Sequence, residues 1–334
     1  MSQPGPTITD VLEACRSIAG TVLRTPLVSA EALSRKLGCE VLRKLETLQP
    51  TGAFKVRGAA NALRKLSSDR RRCGVICAST GNHGRAVAWV ARSFGIPAII
   101  CLSALVPDER AQAIEALGAR VRRVANTQDE AMEEVERAVA LEGLTEVSPF
   151  DDPDVITGQG TIGFELLEER PDLEAILVPL SGGGLARRIA LAGKTLKPAI
   201  RVIGISMDRG AAMHASLAAG KPIAVEEVPS LADSVRGGIG LADRWTFDLC
   251  RRLLDATVLV SESAIYRGIG HLPLEERQIA EGASAVGAAA LLAGKVAALG
   301  PTALIVSGRN IGREALARVA AGEPVTLGDQ GISG

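Results

Sequence analysis

Short apolar runs alternate along the chain with longer stretches whose apolar positions recur at helical spacing. One series predicts helices at Asn82–Phe94, Asp108–Leu117 and Thr127–Leu141, set between strands at Gly74–Ala78, Ala98–Leu102 and Arg120–Val124. Gly95 and Gly118 stand where two of these helices are expected to end. This alternation is typical of βαβ units, which build a parallel sheet with helices on both faces.

A second series of the same kind occupies the C-terminal half. Its predicted strands and helices are Ala175–Pro179, Leu185–Leu196, Ile200–Ile205, Ala211–Ala219, Thr257–Val260 and Thr302–Val306. The N-terminal segment adds helices at Thr9–Ala19 and Ala30–Leu37 and a strand at Glu40–Lys44. The Pro- and Asp-rich segment Ser148–Pro153 predicts a linker between the two series. We therefore expect an α/β fold with two open, twisted, parallel-type sheets flanked by helices, and a cleft between them.

Composition and charge narrow the functional classes. Of 334 residues, 47% are hydrophobic and 23% are charged, which is typical of a globular protein in water. Lys+Arg 38 balance Asp+Glu 38, so no global positive field favours nucleic acid or an anionic membrane. No apolar run reaches the ~18 residues that span a bilayer, and the N-terminus lacks a secretory signal, so we expect a cytoplasmic protein. The six cysteines are scattered and share no metal-ligand spacing with the three histidines, which predicts free thiols.

The segment Pro50–Gly58 places Lys55 where a turn passes into a helix. The helix dipole at such a position disfavours a cation, and burial beside Phe54 would lower the pKa of the lysine further. A lysine with a lowered pKa is a competent amine for a Schiff base. Taken alone, a solvated surface lysine explains the segment equally well.

The segment Ser79–Gly84 follows the strand Gly74–Ala78 directly and opens a helix. Ligands bind at the carboxyl ends of strands in open α/β sheets, and the N–H groups of such a loop suit a carboxylate or a phosphate. The alternative is structural, with Asn82 as the N-cap of the helix and His83 as a hydrogen-bonded loop histidine.

Two further strand ends carry polar or glycine-rich turns. Ser181–Leu185 contains three consecutive glycines, which let the backbone approach a phosphate closely. It lacks the spacing of a dinucleotide-binding loop and the lysine of a nucleotide-hydrolysing P-loop. Ser307 and Asn310 follow the last predicted strand. By itself this last turn is ordinary.

These motifs together resemble the fold-type II enzymes that use pyridoxal 5′-phosphate (PLP), within them the threonine/serine dehydratase and serine racemase group. The resemblance runs from about Thr9 to Ala320, and the four motifs occur in the order that the group shows. It implies PLP as the cofactor, a Schiff base on Lys55 and an active site in the cleft between two domains. The expected domains are a large PLP-binding domain of residues 1–66 and 151–334 and a small α/β domain of residues 67–150.

The resemblance also assigns roles to single positions. It implies cofactor contacts by Phe54 beside the ring, Asn82 at the ring oxygen, the phosphate-binding Gly182, Gly183, Gly184 and Leu185, and Ser307 at the ring nitrogen. It implies that Ser79, Thr80, Gly81 and His83 bind the substrate carboxylate. Thr80 stands where the racemases carry a serine that acts on the opposite face of Cα, and we count it with Lys55 as a catalytic candidate.

The implied reaction is removal of the Cα proton by Lys55 and loss of a β-hydroxyl, giving a 2-oxo acid and ammonia. A hydroxyl at Ser307 suits this elimination, because it leaves the ring nitrogen unprotonated. The implied partners are a small amino acid and a second copy of the chain in a homodimer. We expect neither nucleic acid nor membrane as a partner.

Several positions depart from the group. Ala53 replaces a serine, and Arg187 and Arg188 replace small residues, which puts close helix packing there in doubt. Ser206 and Ala212 stand where acidic residues help to bind a divalent cation, so we expect no metal. No regulatory module follows within the 334 residues, so we expect no feedback control by an appended domain.

The segment 230–241 with Trp245–Phe247 is similar to the dehydratase of hydroxyectoine utilisation. Ring opening of that solute gives a β-hydroxy-α,γ-diamino acid, which resembles threonine chemically. Gly237 and Gly238 would leave room for its longer side chain in the substrate site. The alternatives are a serine racemase-like or β-replacement PLP enzyme and, outside enzymes, a PLP-binding regulatory protein.

Overall fold

The computed structural model describes residues 7–79, 81–124, 127–149, 152–236, 239, 246–297 and 300–334. Its strands are β1 (Leu27–Ser29), β2 (Val41–Leu45), β3 (Val75–Ala78), β4 (Ala98–Ser103), β5 (Arg120–Val124), β6 (Thr145–Glu146), β7 (Ala175–Pro179), β8 (Arg201–Met207), β9 (Ala256–Val260), β10 (Thr302–Val306), β11 (Val325–Leu327) and β12 (Gln330–Ile332). The N-terminal helices are α1 (Ile8–Ile18), α2 (Glu31–Leu37), α3 (Lys55–Arg64), α4 (Ser68–Cys73), α5 (Asn82–Phe94), α6 (Asp108–Glu115) and α7 (Gln128–Glu142). The C-terminal helices are α8 (Pro153–Glu169), α9 (Gly184–Leu196), α10 (Ala212–Ala219), α11 (Thr246–Leu253), α12 (Glu262–Leu274), α13 (Gly282–Leu292) and α14 (Arg313–Ala320).

Two open sheets of parallel type organise these elements, which confirms the predicted fold class. The larger sheet has the order β1-β2-β10-β7-β8-β9, and its strands are parallel except for the antiparallel edge strand β1. The smaller sheet has the order β5-β4-β3-β6 and is parallel throughout. β11 and β12 form a separate antiparallel pair near the C-terminus.

The smaller sheet belongs to a compact unit of residues 1–23 and 49–159. Alternate residues of β3 enter two different clusters of buried side chains, because successive residues of a strand point to opposite faces. Val75 and Cys77 pack in the cluster that contains α3 and α5, and Ile76 packs with α7 on the other face. None of the six cysteines, all of which belong to the described residues, forms a disulfide.

The larger sheet belongs to a second compact unit of residues 24–48 and 160–334. Its main cluster of buried side chains is built around α12 and α13, which pack against each other and the strands. A Cβ on Gly268 of α12 would lie 2.8 Å from the carbonyl oxygen of Ala285, so the helices approach at backbone distance. Arg187 and Arg188 of α9 are fully buried. Close packing is nevertheless present at α9, where a Cβ on Gly163 would meet the Ile189 oxygen at 2.8 Å.

The compact units divide the chain at different places from the predicted domain boundaries at residues 66 and 150. The unit of the smaller sheet includes α3 and the first part of α8. The reason is packing: Val56 and Val155 share the cluster of buried side chains with α5. The predicted linker runs into α8 at Pro153, where Asp152 Oδ1 accepts from the N–H groups of Asp154 and Val155.

Candidate active site

Lys55 is the first residue of α3. Its Nζ donates to the carbonyl oxygen of Pro149 over 3.3 Å and lies 5.4 Å from the centroid of the Phe54 ring. Burial lowers the pKa of this amine to about 8. An ammonium at the positive end of a helix is electrostatically disfavoured, which acts in the same direction. Lys55 therefore offers a neutral amine at far lower pH than an ordinary lysine, as the sequence predicted.

Glycine packing fixes the position of α3 within its unit. A Cβ on Gly58 would lie 2.6 Å from the carbonyl oxygen of Val155 in α8, so the two helices touch along their backbones. The Asn61 side chain donates to the Asp154 carbonyl oxygen over 2.8 Å. Lys65 forms an ion pair with the Asp154 carboxylate at 2.6 Å. These contacts hold the N-terminus of α3, and with it Lys55, in a defined place.

The loop between β3 and α5 contains the predicted carboxylate-binding residues. Gly81 is the N-cap of α5, and its N–H donates to Ser79 Oγ over 3.4 Å. A Cβ on Gly81 would meet nothing within 4 Å, so the backbone there faces open space. Asn82 is the first helical residue, and the alternative in which it is the N-cap is wrong because Gly81 holds that position. The N–H groups of the first helical turn lack intrahelical partners and suit an anion.

His83 lies in the first turn of α5 and is buried. Its Nε2 is 2.8 Å from the carbonyl oxygen of Val147. Burial, with the positive charge of Lys55 as a second cause, lowers the pKa of His83 to about 3, and the bond to Val147 opposes this only in part. His83 is therefore a neutral imidazole at physiological pH.

The glycine turn between β7 and α9 lies in the other unit. Gly183 adopts the left-handed conformation at φ 84° and is the N-cap of α9, with no side chain of the described residues capping the helix. A Cβ on Gly183 would lie 2.6 Å from Cys250 Sγ and 2.9 Å from Met213 Cε. The side chains of Cys250 and Met213 therefore pack directly against Gly183 and leave no room for a side chain there. Gly184 and Leu185 are the first two residues of α9. Such a helix N-terminus suits a phosphate. Gly182 lies in the same turn.

Ser307 follows β10 and is buried. Its Oγ lies 2.9 Å from Ser284 Oγ of α13. Ser284 Oγ also accepts from the N–H of Gly308 over 2.6 Å, so the turn after β10 is fastened to α13. Ser284 was not among the predicted site residues, because no local pattern relates it to Ser307, 23 residues further along the chain.

The residues present fit PLP by their chemistry. A half-buried amine with a low pKa suits an aldehyde, the closed Gly183 turn at a helix N-terminus suits a phosphate, and the Ser307 hydroxyl suits a pyridine nitrogen. The first of these lies in the unit of the smaller sheet and the other two in the unit of the larger sheet.

Three predicted residues lie outside the described part of the chain. They are Thr80, the catalytic candidate on the carboxylate loop, and the substrate-site residues Gly237 and Gly238. Among the described residues, no group of three or more His, Cys, Asp or Glu side chains is arranged to hold a metal ion. Each helix in the described ranges is too short or too polar to cross a bilayer.

Comparisons with known proteins add an independent line of evidence. Residues 18–308 match the family described as "Pyridoxal-phosphate dependent enzyme". A Sinorhizobium fredii protein that bears the name of a threonine dehydratase is 54% identical over 291 residues, covering 87% of this chain and 88% of that protein. An L-threonine ammonia-lyase of Thermotoga maritima is 40% identical over 306 residues, covering 91% of this chain and 76% of that protein. The structure of maize serine racemase has a TM-score of 0.89 at 31% identity, covering 94% of this chain and 97% of that one.

Proposed function

Because the chain belongs to the family of pyridoxal-phosphate-dependent enzymes, we propose that it is a lyase that eliminates water from a small β-hydroxy amino acid of the threonine or serine type. The products are a 2-oxo acid and ammonia. The observation that carries the proposal is the position of Lys55, half-buried at the first residue of α3 with its amine bonded to the Pro149 carbonyl oxygen, where burial lowers the pKa to about 8. This group is able both to bind an aldehyde and to accept a proton near neutral pH.

When bound, PLP withdraws the electrons that remain at Cα after a proton is lost. The protein must remove that proton. Lys55 is the base, since its low pKa leaves a useful fraction of the amine neutral and the same group returns the proton as an acid. The Phe54 ring beside the Lys55 amine excludes water on one side.

Two helix N-termini bind the two anionic groups. We assign the first turn of α5, with Ser79, Gly81 and the backbone of His83, to the substrate carboxylate. We assign the Gly182–Leu185 turn to the phosphate of the cofactor, and Asn82 to its ring oxygen. The Ser307 hydroxyl would donate to the ring nitrogen without protonating it, because a serine hydroxyl is a far weaker acid than a carboxylic acid.

The bond changes balance without an external oxidant or reductant. The Cα–H bond and the Cβ–O bond break, and the hydroxyl leaves as water. The resulting enamine tautomerises to an imine, and water hydrolyses the imine to the 2-oxo acid and ammonia. The water that is lost is taken up again, so the net change is the release of ammonia.

The test is turnover by the purified holoenzyme on L-threonine and L-serine, with release of 2-oxo acid and ammonia in equal amounts. Lys55→Ala should abolish turnover while the protein stays folded. A holoenzyme that releases neither product from either amino acid would overturn the proposed elimination. The same outcome would support the alternative of a PLP-binding regulatory protein.

The finer proposal is that the substrate is the hydroxy-diamino acid derived from hydroxyectoine. It is supported by the sequence of segment 230–241, in which Gly237 and Gly238 would accommodate the longer side chain. Comparing kcat/KM for 3-hydroxy-2,4-diaminobutyrate and L-threonine decides the question. A clear preference for threonine would exclude the finer proposal and leave the elimination intact.

A racemase is the second candidate, and the likeness to the maize serine racemase structure favours testing it. Release of D-serine from L-serine, measured beside 2-oxo acid release, separates the two reactions. The alternative of β-replacement would instead require a second nucleophile in the assay. We also propose a cytoplasmic homodimer, to be checked by sedimentation of the holoenzyme.

A further inference from the structure

The His83 side chain joins the start of α5 to the segment that follows β6. Its Nε2 lies 2.8 Å from the carbonyl oxygen of Val147, and both residues are buried, at 3% and 1% exposure. The N–H of Val147 is itself bonded to the carbonyl oxygen of Ile76 in β3, over 2.9 Å. Val147 is therefore held on both its donor and its acceptor side, by a strand and by His83.

The same segment holds the Lys55 amine two residues further on. Lys55 Nζ donates to the carbonyl oxygen of Pro149 over 3.3 Å. Proline has a fixed φ, and the residue before a proline is confined to extended conformations. Ser148 and Pro149 therefore form a stiff connection, and a change in the position of Val147 is passed on to the Pro149 carbonyl.

The protonation state of His83 suits this anchoring. A neutral imidazole has one N–H group, and the Val147 carbonyl oxygen accepts only, so the proton resides on Nε2. Nδ1 then carries a lone pair, and within the described residues it has no hydrogen-bond partner. The charge that acts on His83 is that of Lys55 on α3. Asp152 precedes α8, and its carboxylate accepts hydrogen bonds from the N–H groups of Asp154 and Val155.

We propose that His83 is a positioning residue, whose Nε2–H fixes the Val147 carbonyl so that the stiff segment 147–149 presents the Pro149 carbonyl to the Lys55 amine. The inference rests on the proposed role of Lys55 and deepens it. It assigns the His83 side chain to the lysine, while the backbone of the same loop serves the substrate carboxylate. Without the anchor the segment is free to move away from the half-buried Lys55, so more water reaches the amine and the desolvation that lowers the pKa of Lys55 is reduced.

Two isosteric substitutions separate the two ring nitrogens. His83→Gln places an amide N–H near the position of Nε2 and keeps a donor for the Val147 carbonyl. His83→Asn places the amide near Nδ1 and loses that donor. Both variants are neutral and polar, so a difference between them reports the bond to Val147 and not the loss of the ring.

The measurement is the rate of reductive methylation of Lys55 in the apoprotein as a function of pH, with the modified residue quantified by mass spectrometry. The wild type and His83→Gln should show a midpoint near pH 8. His83→Asn should move the midpoint upward by about one pH unit, which lowers the reactive fraction near pH 7 about tenfold. The rate of covalent capture of PLP by the apoprotein should fall in the same proportion.

Pro149→Ala provides a second route, since it keeps the backbone carbonyl and removes the stiffness of the connection. It should shift the midpoint in the same direction as His83→Asn, and it serves if the histidine variant does not fold by circular dichroism. Equal midpoints in the wild type, His83→Asn and Pro149→Ala would overturn the positioning role. The labelling needs no substrate, so a holoenzyme that does not eliminate water, yet shows the predicted midpoints, would refute the proposed function alone.

Discussion

The hydroxyl oxygens of Ser284 and Ser307 lie 2.9 Å apart inside the unit of the larger sheet, and Ser284 also accepts from the N–H of Gly308. This arrangement has a consequence for the Ser307 proton. When Ser284 donates its own proton to Ser307 Oγ, the Ser307 hydroxyl remains free to donate elsewhere. Ser284 thus orients the hydroxyl that we assign to the ring nitrogen of the cofactor.

Replacing Ser284 by alanine should therefore weaken PLP binding to the apoprotein about fivefold, as expected for one buried hydrogen bond. Fluorescence titration of the apoprotein with PLP measures the effect. Ser263→Ala is the matched control. The hydroxyl oxygens of Ser263 and Ser261 lie 3.2 Å apart at the start of α12, and neither residue is among those proposed to bind the cofactor. Equal PLP affinity in Ser284→Ala and the wild type would contradict the orienting role.

The lowered pKa of Lys55 predicts a specific pH dependence of stability. The pKa falls from an ordinary value of 10.5 to about 8 on folding, so the folded protein binds fewer protons than the unfolded one between these limits. The free energy of unfolding therefore increases as the pH rises from about 8 to 10.5. Below pH 8 the lysine is charged in both states, and the folded protein is destabilised by the full cost of burying that charge.

Lys55→Met should consequently be more stable than the wild-type apoprotein near pH 7, by at most roughly 3 kcal/mol. The difference should shrink as the pH approaches 10.5. Urea unfolding of both proteins at several pH values provides the measurement. A difference in free energy that stays constant across this range would show that burial of the charge is not its cause.

Gly183 and Gly220 form a matched pair for testing the phosphate turn. Both have positive φ, at 84° and 71°, but a Cβ on Gly220 would meet nothing within 4 Å, whereas one on Gly183 would lie 2.6 Å from Cys250 Sγ. Gly220→Ala should cost about 1–2 kcal/mol of stability from backbone strain alone. Gly183→Ala should cost about 1–3 kcal/mol more from overpacking and should also weaken PLP binding.

Thermal unfolding and PLP titration of the two glycine variants separate strain from steric conflict. Adding Cys250→Ala to Gly183→Ala should recover part of the lost stability, because it removes the nearest atom. If both glycine variants lost the same stability and kept wild-type PLP affinity, the closed turn would have no role in binding.

Loss of one partner from the buried ion pair between Lys44 and Glu165 should strongly lower the stability of the unit that contains the larger sheet. Lys44 Nζ is fully buried and lies 2.6 Å from Glu165 Oε2 and 2.6 Å from the Thr25 carbonyl oxygen. Lys44→Met leaves a buried carboxylate without this cation and should cost about 3–5 kcal/mol, whereas replacing both partners by apolar residues should cost far less.

Equilibrium unfolding of Lys44→Met and of Lys44→Met with Glu165→Leu tests this prediction. The exposed pair of Arg24 and Glu168 is the control, and Arg24→Met should change the free energy of unfolding by less than about 1 kcal/mol. If Lys44→Met were as stable as Arg24→Met, the protein's stability would depend no more on the cation of a buried ion pair than on that of an exposed one.

Much of the fold was predictable because many elements have one apolar face or a clear apolar run. The strands β3, β7 and β10 and the helices α5 and α9 lie within a residue or two of their predicted bounds. The helix α13 was not predicted, because all its residues but the last are buried and its alanine- and glycine-rich sequence shows no helical period. The glycines of α8, such as Gly158 and Gly163, obscure the helix in sequence but allow backbone approach in the fold.

The candidate site was predictable where function resides in one contiguous motif. The position of Lys55 at a helix start and the fall in its pKa follow from local sequence and burial. The Val147 carbonyl, the Pro149 carbonyl and Ser284 could not be predicted. Each acts through a partner far away in the chain, and two of them through backbone atoms that every residue type shares.

The pairing of β2 with β10 sets the order in which the chain can be completed during translation. Val41 lies opposite Thr302, so β2 cannot pair with its parallel partner until the residues of β10, up to Val306, have been synthesised. The smaller sheet, in contrast, has all its strands once residue 146 has been made. Until β10 has been made, the edge of β2 that pairs with it is open. All residues of β2 are buried in the finished fold. Nascent chains stalled between these two points should therefore be the species that chaperones bind and that aggregate when chaperones are scarce.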